Sequence, residues 1–200
     1  MSPHKGMRVS VILFPDVELL DVAGPVEVFS KVDSLEMEFL SADGEPVTSS
    51  QGLALGVDGD FGTKTGDVLF VPGGAGTRRL VHDAAFLSQV KTMAADSRIL
   101  MSVCTGSALL AAAGLLDGYV ATSNKRAFTW ATSFGTGVEW RRAARWVHDR
   151  DRWTSSGVSA GIDMAAAFVA DQWGTNTVND IADAIELRLN LDPGDDPFAV

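Results

Sequence analysis

Short runs of consecutive apolar residues recur along the chain, and the apolar positions between them fall at helical spacing. Residues 7–14 predict a first buried strand that Pro15 and Asp16 end, and residues 22–31 predict a short helix with Pro25 tolerated in its first turn. Residues 37–41 alternate as a second strand, and residues 53–61 read as an irregular or short-stranded stretch rich in glycine. Residues 67–71 form a third buried strand running into Pro72, Gly73 and Gly74. A helix is predicted over 84–95, a strand over 98–103, and a run of strong helix formers over 108–113 that Gly114 closes. Residues 120–123 continue the sheet, residues 140–153 supply a hairpin, and 159–171 and 178–189 are two final helices. Strands alternating with helices imply an α/β fold, a mainly parallel sheet covered on both faces. Ligand sites of such sheets lie at the carboxyl ends of the strands. Asp21, Gly73, Gly74 and Cys104 all follow predicted strands, so one crevice is expected to collect them.

Cys104 is the single cysteine of the chain. Its surroundings, a strand-length apolar run, then Cys104-Thr105-Gly106-Ser107, then a helix, place its side chain where a hydrolase carries a nucleophile. The free N–H groups and positive dipole end of the helix start are expected to favour a thiolate over a thiol. The bland alternative is a small buried core residue, the usual fate of a free cysteine.

Asp21 stands in the apolar segment Leu19-Leu20-Asp21-Val22-Ala23, where a charge needs a reason. Capping the helix is one reason. Sharing a proton with Cys104 is another, since a thiol and a carboxyl close together cannot both ionise cheaply. Such a pair holds a nucleophile and a general acid in one place. Gly73 and Gly74, with the Thr105 N–H, offer backbone donors for negative charge developing on a substrate or for orienting water. The chain lacks the Walker lysine, and no G-x-G-x-x-G follows the first strand. Of the three histidines, His4 falls in a tail, His82 before a helix and His148 in the hairpin, which argues against a cysteine–histidine triad.

Composition narrows the picture further. At 200 residues and 46% hydrophobic content the chain is expected to form a single domain with a substantial core. The net charge of −10 argues against nucleic acid as a partner. The arginines between 141 and 152 are interrupted by Asp149 and Asp151 and read as covering exposed tryptophan faces. No apolar run reaches the roughly 18 residues of a membrane span, and residues 1–7 lack the apolar region of a signal peptide. A lone cysteine fits a reducing cytoplasm, and no cysteine–histidine cluster has zinc spacing.

Taken together, Phe14-Pro15 with Asp21-Val-Ala-Gly24-Pro25, then Phe70-Val-Pro-Gly-Gly74, Ser102-Val-Cys-Thr-Gly-Ser107, Ala113-Gly-Leu-Leu-Asp-Gly118 and Ser156-Gly-Val-Ser-Ala-Gly-Ile-Asp163 resemble the ThiJ/PfpI superfamily over nearly the whole chain. The resemblance is nearest to its isocyanide hydratase group. It implies a flavodoxin-like sandwich with a nucleophile-elbow cysteine, a homodimer, and no cofactor or metal. Asp21 matches the group's aspartate, Cys104, Thr105 and Gly106 its cysteine turn, and Gly157 its glycine loop near the cysteine. One departure stands out: relatives commonly carry a histidine where this chain has Asn124, which cannot act as a general base and is expected to reshape the pocket. Relatives fused to an AraC-type DNA-binding domain share the core, and a chain of this length is expected to lack that domain. The implied activity is hydration of an organic isocyanide to an N-substituted formamide by Cys104 and Asp21. Glyoxalase or deglycase action on small dicarbonyls, and a non-catalytic redox sensor or ligand-binding protein with an exposed low-pKa cysteine, stay open.

Overall fold

A computed structural model describes residues 6–199; His4 and the N-terminal reading of residues 1–5 lie outside them. The described chain runs β1 (Met7–Ile12), α1 (Leu19–Phe29), β2 (Leu35–Ser41), β3 (Val47–Thr48), β4 (Ala54–Leu55), β5 (Gly59–Asp60), β6 (Val68–Val71), α2 (Thr77–Leu80), α3 (Ala84–Asp96) and β7 (Ile99–Ser102). It continues through α4 (Gly106–Ala112), β8 (Val120–Ala121), α5 (Phe128–Ala131), β9 (Glu139–Trp140), β10 (Trp146–Asp149), β11 (Arg152–Ser155), α6 (Ala160–Trp173) and α7 (Thr175–Ala184). Seven strands form one sheet in the order β10-β11-β7-β6-β1-β2-β5. Every pairing in it is parallel except the β10–β11 hairpin. Helices cover both faces in a flavodoxin-like α/β arrangement, with α1 packed on α6 and α4 against α2 and α3.

The central strands β6 and β7 bury Val68, Leu69, Phe70, Val71, Leu100 and Met101 almost completely, as a parallel strand covered on two faces requires. Helix α3 begins where its sequence can cap it: the Asp83 carboxylate accepts the N–H groups of Ala85 and Phe86, each at 3.0 Å.

Several boundaries differ from the sequence reading. Helix α1 starts at Leu19, so Asp21 lies inside its first turn and Pro25 in its interior. Residues 120–123 do not extend the main sheet; β8 pairs with β9 in a separate two-stranded sheet, which takes Trp140 out of the hairpin. The hairpin is β10–β11, spanning 146–155 with Arg150 and Asp151 at its turn rather than 140–153, and α7 ends at Ala184 rather than at 189. The arginines do not cover tryptophan faces. Trp146 and Trp153 are in the core, His148 stacks on Trp153 at 3.9 Å, and Arg150 and Arg152 lie over Tyr119. Arg145 is itself buried and ion-paired to Asp163. Long guanidinium stems follow the nearest exposed ring or buried carboxylate, and sequence spacing names neither.

Among the described residues no helix is long and apolar enough to cross a membrane. No group of three or more histidine, cysteine, aspartate or glutamate side chains among them could hold a metal ion.

Candidate active site

Cys104 sits between the end of β7 and the start of α4 with φ +58, in the left-handed region that a non-glycine residue enters only when its surroundings hold it there. Those surroundings are specific. Its N–H donates to Ser156 O at 3.0 Å, and its carbonyl accepts the hydroxyls of Ser107 at 3.1 Å and Ser123 at 3.0 Å. With both backbone groups tied, the elbow is fixed at the carboxyl ends of β7 and its neighbours.

The sulfur meets three donors and one acid. Asn124 Nδ2 donates to Sγ at 3.2 Å. The Ala127 N–H donates to Asn124 Oδ1 at 2.9 Å, so the amide is oriented with its NH2 group to the sulfur. The backbone N–H groups of Val158 and Thr105 also serve the sulfur, Val158 from a left-handed φ of +44. Opposite lies the Asp21 carboxyl, within hydrogen-bond contact of the Cys104 side chain.

Asp21 is fully buried. Its Oδ2 accepts the Gly73 N–H at 2.9 Å, and its Oδ1 has no directional hydrogen bond. The loop that carries Gly73 is clasped to the start of α1 by the Glu18 N–H on Gly73 O at 2.9 Å. A Cβ on Gly73 would come within 2.7 Å of Asp21 Oδ2 and 2.6 Å of Thr105 N, so glycine is what lets the acid and the elbow approach.

Burial dominates the proton affinities. It pushes Asp21 up to about 7, against the pull of the Gly73 N–H, and the nearby Glu18 charge adds to the rise. Burial, then the Asp21 charge, pushes the Cys104 thiol up to about 12, and the donors from Val158, Thr105 and Asn124 only partly offset this. The expected preference for a thiolate is therefore corrected: the helix-start donors are present, but a low-dielectric site beside a carboxylate outweighs them. Between about 7 and about 12 the pair holds one proton, resting mainly on sulfur. Nor is the cysteine exposed, at 6% accessibility.

Of the other expected site residues, Gly106 begins α4 directly after the elbow, and Gly157 lies against Asn124. The Gly73 and Gly74 N–H groups are engaged within the protein, Gly73 on Asp21 and Gly74 on Thr105 Oγ1 at 3.1 Å. That leaves the Thr105 N–H as the one of the three expected backbone donors directed at the sulfur. Sequence reasoning missed Val158, whose N–H gives no sequence signal. It also read Asn124 for shape alone, whereas the amide touches the Cys104 sulfur. Away from the site, the His82 ring sits edge-on against Phe134.

A Cβ on Gly157 would reach 2.3 Å from Asn124 Nδ2. Gly157→Ala is therefore expected to push the amide off the sulfur and slow Cys104 alkylation by iodoacetamide at pH 9 by about tenfold or more, the worth of a hydrogen bond to a charged group. Peptide mass spectrometry against time checks this, and an unchanged rate in folded protein contradicts it.

Comparison with known proteins extends the geometry. The pattern of the DJ-1/PfpI family matches residues 7–171. The chain is 35% identical over 188 residues to an isonitrile hydratase of Pseudomonas putida, covering 94% of this chain and 79% of that protein. A ThiJ/PfpI family protein from Pseudomonas syringae superposes with a TM-score of 0.78 at 32% identity, covering 96% of this chain and 77% of that one. The HTH-type transcriptional regulator GbdR of Pseudomonas aeruginosa is 30% identical over 177 residues, but the match spans only 47% of the regulator.

Proposed function

This chain belongs to the DJ-1/PfpI family, and on that premise we propose that it hydrates an organic isocyanide to an N-substituted formamide. The observation that carries this reading is the one-proton pair: a thiol against a buried carboxylate whose Oδ1 is still without a hydrogen-bond donor. The hydratase relative supports the choice of substrate class.

In the proposed reaction Asp21 takes the thiol proton as Sγ attacks the terminal carbon of R–N≡C. A C–S bond forms and Asp21 returns the proton to that carbon, giving the thioimidate R–N=CH–S. Negative charge on sulfur is met by Asn124 Nδ2 and the N–H groups of Thr105 and Val158. The carboxylate next takes a proton from water as the water oxygen adds to the same carbon, and passes it to nitrogen. The tetrahedral adduct then collapses: the C–S bond breaks, R–NH–CHO leaves, and the hydroxyl proton returns through Asp21 to the thiol. One water is consumed, and no redox change occurs. The Gly73 N–H keeps Asp21 aimed through both proton transfers.

The deciding experiment is formamide production from cyclohexyl isocyanide by purified protein, followed by chromatography. Turnover is expected. Its absence, from folded protein with a reduced Cys104, would overturn the reading and favour a second one, a role without catalytic chemistry, for which the transcriptional-regulator relative is a precedent. A homodimer and a cytoplasmic setting belong to the same proposal; the exposed Leu20, beside Ile162 and Leu187, offers an apolar face for the dimer.

A further inference from the structure

We propose that the cavity beside Cys104, walled by Phe198 of the C-terminal segment, receives the organic group of the substrate and selects one that is bulky, apolar and uncharged. This rests on the hydratase reading for the reacting group but not for the shape of the cavity. The cavity measures about 350 Å³, the lower end of what holds a small organic ligand. Asn124 and Val158, which serve the sulfur, also line it, so a molecule held there lies against the two residues that stand between the cavity and Sγ. Gly157 and Phe198 complete the mainly apolar side.

Phe198 is 67% exposed, the most open large apolar side chain described. Its ring is held there by polar groups rather than by core packing. The Phe198 N–H donates to Asp196 Oδ1 at 3.0 Å, and the Asp196 carboxylate is buried between Lys125 Nζ and Arg145 Nη1, each at 3.8 Å. The same segment is tied twice more: the Arg145 N–H donates to Pro193 O at 2.7 Å, and the Asn190 N–H donates to Asp163 Oδ1 at 3.0 Å. Asp163 in turn pairs with Arg145. A buried ionic network costs desolvation and gains little stability, so its clearest product is a fixed position for the segment it holds.

The network also decides the charge of the cavity. Lys125 lines it, yet its ammonium points inward, donating to Thr122 Oγ1 at 2.7 Å and Ala144 O at 2.5 Å. Arg126 stands at the exposed rim. What remains of the lining is Ser156, Ser159, Gly157 and Val158, the Asn124 amide and an aromatic wall, a mainly apolar surface that gains by covering apolar groups and offers no buried counter-ion to an anion.

The test uses product-like ligands, so it needs no turnover. Alkylation of Cys104 by iodoacetamide is followed by mass spectrometry in the presence of N-cyclohexylformamide, N-methylformamide or N-formylglycine. N-Cyclohexylformamide is expected to protect at about tenfold lower concentration than N-methylformamide, the scale of discrimination by apolar contact. Phe198→Ala is expected to abolish that advantage, Phe198→Leu to restore part of it, and Asp196→Asn to lower it with the ring still present. Equal protection by the two neutral ligands, best protection by N-formylglycine, or an undiminished preference in Phe198→Ala would each overturn the proposal. Selective protection without isocyanide turnover would leave the cavity assignment standing and remove the hydratase reading. Turnover without selective protection would do the reverse.

Discussion

Cys104→Ala is expected to lower formamide production from cyclohexyl isocyanide by about 10⁴-fold or more, to the background of the assay. The magnitude follows from the role: with no sulfur there is no C–S bond and no thioimidate, and Asp21 alone would have to bring water directly to the isocyanide carbon. The substitution should leave the fold intact, because alanine only shortens the side chain, and the backbone bonds of Cys104 to Ser156, Ser107 and Ser123 that hold the elbow persist. The left-handed φ of +58 remains, so some strain remains too. Thermal unfolding within a few degrees of wild type, beside lost turnover, separates chemistry from folding. Substantial turnover in folded Cys104→Ala would end the covalent mechanism.

The second large effect is Asp21→Asn, in which acid and base vanish while the shape and the Gly73 contact persist. Turnover is expected to drop by about 10²- to 10⁴-fold, the range of a general acid–base group. The pH profile carries the finer test. Below about 7 both members of the pair are protonated and no base is available. Above it the pair holds the one shared proton that the reaction uses. Wild-type kcat/KM should therefore rise with unit slope up to about pH 7 and level off, and the variant should lack that limb. A wild-type profile that instead falls through pH 7 would show that the doubly protonated pair is the active form.

Stability should move the other way. Asp21 titrates near 3.8 when unfolded and near 7 when folded, so the folded state favours its protonated form. That contribution is fully present below about pH 4 and is lost as pH rises to about 7, with an upper bound on the order of 4 kcal/mol from the shift. Asp21→Asn is neutral at every pH. It is expected to unfold at higher temperature than wild type at pH 8 and to lose the difference at pH 4. Equal melting temperatures at pH 8 would mean that the buried carboxylate costs the fold nothing.

Much of this was legible in the residues. The runs over 7–14, 67–71 and 98–103 read as strands covered on both faces, because consecutive rather than alternating positions in them are apolar. Cys104 at a strand–helix junction and an acid in an apolar segment announced the site, since both are expensive to place without purpose. The misplacements share a cause. The two-residue strand β8 carries too little pattern to say which sheet it joins, and the arginines after β9 could reach several rings equally well by spacing. Pairing across long sequence separations chose among them.

The sequence by itself determined the layered α/β frame and the placing of Asp21 and Cys104 after strands that open on one crevice, because hydrophobic periodicity and strand order act through local and near-neighbour physics. Only the tertiary structure decided the protonation of that pair, the engagement of the Gly73 and Gly74 donors, the Asn124 and Val158 donors to sulfur, and the setting of Phe198 over the cavity. Each of those depends on burial and on hydrogen bonds between residues distant in the chain, such as Cys104 with Asn124 and Asp196 with Lys125. Dielectric environment and long-range pairing are properties of the packed molecule, and no local pattern encodes them.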